Sequence, residues 1–218
     1  MKRWDIINRI STARGYKDYL EIGQQKGQCF REIRIENKEG VDPKPKDKLG
    51  VACKYHMTSD DFFKHEVGDK VYDMVFIDGL HIREQVLKDV QNSLKHLRPN
   101  GTIVLHDCNP PTERHQVTSD NPIDRTHRRA CRGPIQHGEW NGDVWKAFLD
   151  LRTTRDDIQM YTVDTDCGCG VIQFGKQDLY VDELESNNGL YTWSYFEKNR
   201  KSILNLLSTE DFLAQNQY

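Results

Sequence analysis

Val71 to Ile77 (Val-Tyr-Asp-Met-Val-Phe-Ile) is almost uninterrupted apolar sequence without strict alternation, the pattern of a parallel strand covered on both faces. From Ile82 the period becomes helical. Ile82, Val86, Leu87, Val90, Leu94 and Leu97 form one stripe, and Arg98-Pro99-Asn100-Gly101 is predicted to stop it. A second apolar run, Thr102 to Leu105, follows and ends in His106-Asp107, just as the first ends in Asp78. In an open α/β sheet, ligands bind at the carboxyl ends of the strands, so this pattern places Asp78 and Asp107 side by side at the mouth.

The flanking sequence supplies the rest of such a sheet. Residues 3–13 predict a helix with Trp4, Ile7 and Ile10 on one face and Gly15 as its stop. Tyr19 to Ile22 is a first strand, followed by the glycine turn Gly23-Gln-Gln-Lys-Gly27 and a helix through Cys29, Phe30 and Ile33. Gly40-Val-Asp42 is a short strand ending in a carboxylate, and Val51 to Met57 reads as a third strand. Thr58-Ser-Asp-Asp61 then caps a helix over Phe62 to Val67, with Ser59 or Asp60 as N-cap or ligand contact. Further on, Gly142 to Leu149 restarts a helix whose apolar face carries Val144, Trp145, Phe148 and Leu151. Ile158–Val163 and Gly170–Phe174 are two strands joined by Asp164 to Gly168, a hairpin rather than a crossover. The tail holds an acidic connector, Asp182 to Glu185, and a helix from Trp193 to Leu207 that either docks on the domain or forms a homodimer contact.

Composition narrows the class. With 218 residues, 36% hydrophobic content and a mean hydropathy of -0.80, the chain predicts one α/β domain over residues 1–218. Its elaborations are a cap helix at 1–15, a long loop at 108–138 and a helical extension at 176–218. A net charge of -3 and a pI near 6.2 argue against a nucleic-acid partner. No run of 18 apolar residues and no signal-peptide core is present, so no membrane association and a cytoplasmic location are expected. Cys29, Cys53, Cys108, Cys131, Cys167 and Cys169 show no paired CxxC spacing and are read as free thiols. Cys167-Gly-Cys169 fits a hairpin turn better than a metal site.

The glycine turn lets the backbone approach a ligand closely, and the helix after it adds amide donors. Asp42 stands nineteen residues beyond Gly23, where nucleotide-binding α/β folds place the acid that accepts from ribose hydroxyls.

Together, Tyr19-Leu-Glu-Ile-Gly23, Gly40-Val-Asp-Pro43, Met57-Thr-Ser-Asp60, Phe76-Ile-Asp-Gly-Leu-His81 and Leu105-His-Asp-Cys-Asn-Pro-Pro111 resemble the class I S-adenosylmethionine-dependent methyltransferases, in particular methyltransferase family 24, over about residues 15–175. The first glycine motif departs from the family's three-glycine form, with Gln25 where a middle glycine is common. The resemblance implies a Rossmann-like, mostly parallel seven-stranded sheet with an antiparallel C-terminal hairpin strand and helices on both faces. It implies S-adenosylmethionine as cofactor, with Glu21 and Gly23 toward the methionine end, Asp42 on the ribose, Ser59 and Asp60 at the adenine, and Gly27 and Asp78 also binding the cofactor.

Transfer of a sulfonium methyl to a hydroxyl needs an aligned nucleophile and a way to lose its proton. Two routes stay open: a divalent cation such as Mg²⁺ lowering the hydroxyl pKa, or a histidine taking the proton. Catechol O-methyltransferase-like enzymes, which the chain distantly resembles, use an aspartate, an Asp-Asn pair and a basic residue three past the first aspartate. The matching positions here are Asp78, Asp107 with Cys108, and His81. A thiol suits Mg²⁺ poorly, so Asp78, Asp107 and Asn109 are the metal candidates. His81 is the favoured base, beside Asp78 and Asp107. Each also has a bland reading, as helix cap, turn carboxylate or satisfied first-turn histidine.

The stretch Cys108 to Gly138 carries Arg114, Arg125, Arg128, Arg129 and Arg132 and several prolines. It is either a substrate lid favouring anionic groups or a solvated basic loop. The expected activity is O-methylation of a small hydroxylated molecule such as a sugar or glycan precursor. The alternatives are an NAD(P)-dependent oxidoreductase and a non-catalytic cofactor-binding protein.

Overall fold

A computed structural model of the chain describes residues 1–46, 53–116, 140–181 and 190–215. Its centre is a seven-stranded sheet of β1 (Asp18–Ile22), β2 (Asn37–Val41), β3 (Tyr72–Ile77), β4 (Leu97–Leu105), β5 (Ile158–Val163), β6 (Cys169–Phe174) and β7 (Leu206–Leu207), ordered β2-β1-β3-β4-β6-β5-β7. β6 runs antiparallel to β4 and β5, and every other pairing is parallel. This is the expected mostly parallel sheet with one antiparallel hairpin strand.

Register sets the mouth. Ile22 pairs with Val41 and with Ile77, and Ile77 pairs with Leu105, so four strands end in one row. The residues that follow, Gly23, Asp42, Asp78 and His106, are therefore brought to a common rim.

Alternation along each strand fills both faces. On one side Leu20, Ile22, Val75, Ile77, Ile103 and Leu105 pack under α3 (Ser59–His65), α4 (Arg83–Lys95), α5 (Val144–Thr154) and α6 (Trp193–Ile203). On the other, Tyr19, Met74, Phe76, Val104 and Val171 lie under α1 (Arg3–Arg14), α2 (Gln28–Glu32) and α7 (Thr209–Gln215). α6 docks through Phe196, whose ring centroid lies 4.3 Å from that of Trp145 on α5; both side chains are fully buried. Among the described residues no helix is long and apolar enough to cross a membrane.

Several sequence expectations are corrected. The third predicted strand is reduced to a single parallel bridge between Val41 and Tyr55, and Val51 and Ala52 lie outside the described residues. The seventh strand comes instead from the C-terminal extension. The helix predicted over Trp193 to Leu207 ends at Ile203, Asn205 turns the backbone at φ 44°, and Leu206–Leu207 joins β5 before α7 begins. Arg98-Pro99-Asn100-Gly101 is not a stop but part of β4. Tyr72 pairs with Leu97 while Met74 pairs with Thr102, so these residues form a bulge, where a proline without an N–H is tolerated. Gly101 is needed there, since a Cβ would sit 2.9 Å from the Asp73 carbonyl oxygen. The cap of α3 is Thr58, which accepts from the Asp61 amide at 3.1 Å, so Ser59 and Asp60 are the first helical residues. The connector Asp182 to Glu185, Cys131 and most of the 108–138 loop, including Arg125, Arg128, Arg129 and Arg132, lie outside the described residues. The five described cysteines are all free thiols.

Candidate active site

Gly23 takes φ 89°, and a Cβ there would lie 2.1 Å from the Asp78 carbonyl oxygen. Only a glycine lets the turn after β1 close onto the end of β3. Asp78 N donates to Ile22 O at 2.8 Å and Gly23 N to Val41 O at 2.9 Å, which ties the three strand ends together. Asp42 accepts from the Gln25 amide on Oδ2 (2.6 Å) and from the Lys44 amide on Oδ1 (2.7 Å). A carboxylate has about four acceptor positions, so about two are left beyond these amides.

Gly27, also left-handed, precedes α2. Glu21 is buried one residue before the rim, and Tyr19 Oη donates to its Oε2 at 2.6 Å. Burial pushes the Glu21 pKa up to about 8, so the group is a neutral acid at pH 7. Ser59 and Asp60 face α4, where Gln85 Nε2 lies 3.3 Å from Ser59 Oγ and 3.0 Å from Asp60 Oδ1. The glycine turn and the acid of β2 share one rim of the sheet, at the carboxyl ends of its parallel strands.

At the same rim the structure brings together Asp78, His81 and Asp107, with one ligand atom from each within 4.8 Å of the others. His81 Nε2 is 3.1 Å from Asp78 Oδ1, and its Nδ1 is 3.3 Å from Asp107 Oδ2. The Trp140 carbonyl oxygen lies 2.8 Å from Nδ1. A carbonyl and a carboxylate only accept, so Nδ1 carries a hydrogen toward Trp140, and Nε2, when protonated, donates to Asp78 Oδ1. Burial lowers the His81 pKa, but Asp107, Asp78 and the Trp140 carbonyl outweigh it, so the value is raised above the ordinary histidine range. Burial alone would raise the Asp78 pKa, yet His106 and His81 hold its carboxyl well below the usual carboxylate range.

Asn109 does not join this cluster. Its Nδ2 donates to Asp164 Oδ1 at 2.9 Å and its Oδ1 accepts from Arg200 Nη1 at 2.6 Å. The amide that does reach Asp107 belongs to Asn141, whose Nδ2 donates to Asp107 Oδ1 at 3.0 Å. Cys108 is buried and its thiol donates to Leu105 O at 3.4 Å. Three donors therefore remain for a cation, and one is an imidazole nitrogen, a set better suited to a first-row transition ion than to Mg²⁺.

The sequence reading missed a second tier. Trp140 stacks on His81 with centroids 5.2 Å apart and planes at 21°. Asp143 accepts from the Arg83 amide at 2.7 Å, at the start of α4. His106 is buried with Nδ1 3.0 Å from Asp107 Oδ2 and 3.4 Å from Asp78 Oδ1. The only local signal was position, since His106 immediately precedes Asp107 at a strand end. Trp140 and Asn141 gave none, because they arrive from across the loop.

Known proteins share this arrangement of strands. Residues 20–108 match a family profile described as a methyltransferase domain. No curated protein matches the chain. Among solved structures, an O-methyltransferase from Bacillus cereus in complex with SAH is similar at 13% identity, covering 79% of this chain and 80% of that one, with a TM-score of 0.52. The O-methyltransferase TomG from Streptomyces achromogenes, involved in tomaymycin synthesis and solved with SAM, is 15% identical over 79% of each chain, with a TM-score of 0.51. The SAH-bound methyltransferase PaMTH1 of Podospora anserina is 17% identical over 81% of this chain and 80% of its own, with a TM-score of 0.50. At these identities the neighbours speak for the fold, and the profile match covers the glycine turn and both acidic strand ends. The chain therefore carries a segment similar to a methyltransferase domain, residues 20–108, set in the Rossmann-like fold that solved methyltransferases share.

Proposed function

We propose that the enzyme methylates a hydroxyl of a small acceptor, with His81 as the base that takes its proton. The observation that supports this is the convergence of Asp78, His81 and Asp107 at the ends of two adjacent strands, beside the turn held open by Gly23. S-adenosylmethionine held there would supply an electrophilic methyl with a thioether as leaving group. Glu21, Gly23 and Asp42 orient the cofactor. The Trp140 carbonyl keeps a hydrogen on Nδ1, Nε2 of the neutral ring takes the acceptor's proton as the oxygen–carbon bond forms, and Asp78 and Asp107 hold the imidazolium that results. The acceptor class argued from sequence is a hydroxylated, anionic sugar or glycan precursor, on the strength of the arginines after Asp107.

The test is turnover on a panel of such acceptors. His81→Ala should abolish methyl transfer while calorimetric binding of S-adenosylhomocysteine stays normal; undiminished transfer would remove His81 as base. A second reading is favoured by the same cluster: Asp78, His81 and Asp107 would hold a divalent cation that lowers the hydroxyl pKa. The two readings compete for one nitrogen, because an imidazole bound to a cation is no longer a base. Loss of activity on chelation, restored by a first-row transition ion, selects the second.

A further inference from the structure

The strand-end carboxylates are gripped from behind by the start of the N-terminal helix, which lies outside the residues matched by the methyltransferase profile. The Arg3 amide donates to Asp166 Oδ2 at 3.0 Å, and Lys2 Nζ pairs with Asp166 Oδ1 at 2.9 Å. The Arg3 guanidinium reaches inward, with Nη1 3.4 Å from Asp166 Oδ2 and in short contact with Nε2 of the buried His106. Nη1 is also 3.3 Å from Nδ1 and so lies against the edge of the ring, and the carboxylates beside Nδ1, which only accept, place a ring hydrogen on that nitrogen. Nδ1 itself is 3.0 Å from Asp107 Oδ2 and 3.4 Å from Asp78 Oδ1, within reach of both carboxylates.

The chain Asp166–Arg3–His106–Asp107 thus runs from the β5–β6 hairpin into the reaction centre. Both end aspartates have left-handed backbones, Asp166 at φ 49° and Asp107 at φ 63°. Such backbones are strained in non-glycine residues and persist only where surrounding contacts hold them.

We infer that Arg3, anchored by Asp166, is a positioning residue for the reaction: it orients the His106 ring so that Nδ1–H keeps Asp107 and Asp78 aimed at His81. This rests on the functional reading above, which makes those carboxylates the holders of the base. The simpler account, a buried ion pair that only fastens the helix, predicts different behaviour.

Arg3→Met keeps the apolar stem and removes the donors, whereas Arg3→Lys restores one. Removing one member of a buried pair can unfold a protein, so the double variant Arg3→Met/Asp166→Asn, which removes both charges, is the control. Positioning predicts that Arg3→Met and the double variant lose about tenfold to a hundredfold in kcat. Affinity for S-adenosylhomocysteine should stay within about threefold, and Arg3→Lys should recover much of the loss. Independently of turnover, a slowly exchanging imidazole Nδ1 proton, assigned by its disappearance in His106→Gln, should be visible by NMR in the parent and lost in Arg3→Met. Unchanged kcat in the folded double variant, or an Nδ1 proton that survives Arg3→Met, overturns the inference. If the parent methylates no acceptor yet the Nδ1 proton depends on Arg3, the functional reading has failed and the arginine–histidine link has not.

Discussion

Trp140 meets His81 twice, through a carbonyl oxygen 2.8 Å from Nδ1 and through an indole stacked on the same ring at 5.2 Å between centroids. The first contact chooses the tautomer and the second fixes the plane. Replacing Trp140 by Leu removes only the second. The expected result is a fall in kcat of about tenfold, with cofactor affinity unchanged, because a base held less firmly spends less time in line with the acceptor. Steady-state kinetics beside calorimetric titration with S-adenosylhomocysteine check it.

The raised His81 pKa sets the direction of the pH profile. A base must be unprotonated to act, so kcat/KM should climb as pH rises through a value above 6.5, the ordinary histidine figure. Asp107 is the largest of the raising influences on His81, and Asp78 and the Trp140 carbonyl follow. In Asp107→Asn the acid limb of the residual activity should therefore shift to lower pH. A limb that stays in place would mean that a different group titrates.

Glu21 gives a stability test of the opposite pH sense to a surface carboxylate. Its folded pKa is raised to about 8, above the ordinary glutamate value of 4.5, so the unfolded chain ionises first and stability falls as pH rises from about 4.5 to about 8. Above that window the loss is complete. Glu21→Gln cannot ionise, and its melting temperature should exceed that of the parent by a margin that grows across the window and then levels off.

Two glycines with left-handed backbones separate strain from collision. Gly15 has φ 66°, and a Cβ there would meet nothing within 4 Å, so Gly15→Ala should cost about 1 kcal/mol through backbone conformation alone. At Gly23 the new methyl would meet the Asp78 carbonyl at 2.1 Å, and nothing there can move without separating β1 from β3. Gly23→Ala should abolish S-adenosylhomocysteine binding in calorimetry and lower the melting temperature far more than Gly15→Ala.

Strand ends were legible in the sequence because their signal is local: an apolar run, then an acid. Asp78, His81 and Asp107 could be named together from two runs and one helical stripe, and the structure brings those three within 4.8 Å. Asn109 was legible only as a neighbour of Asp107. Whether its amide turned inward depended on Asp164 and Arg200, which lie 55 and 91 residues away. Asn141 and Arg3 were invisible for the same reason: each reaches the cluster through tertiary packing. The missing third strand and the extra seventh one have a related cause. Short apolar runs state a preference, and pairing partners decide which of them enters the sheet.

The common row formed by Ile22, Val41, Ile77 and Leu105 makes the sheet a ruler for the chemistry. Adding a single residue within β3 would swing Asp78 to the opposite side of the sheet and leave the imidazole without its partner. Length changes in this chain are therefore tolerable in the connections and at the β4 bulge, and prohibited from Met74 to Ile77 and from Thr102 to Leu105.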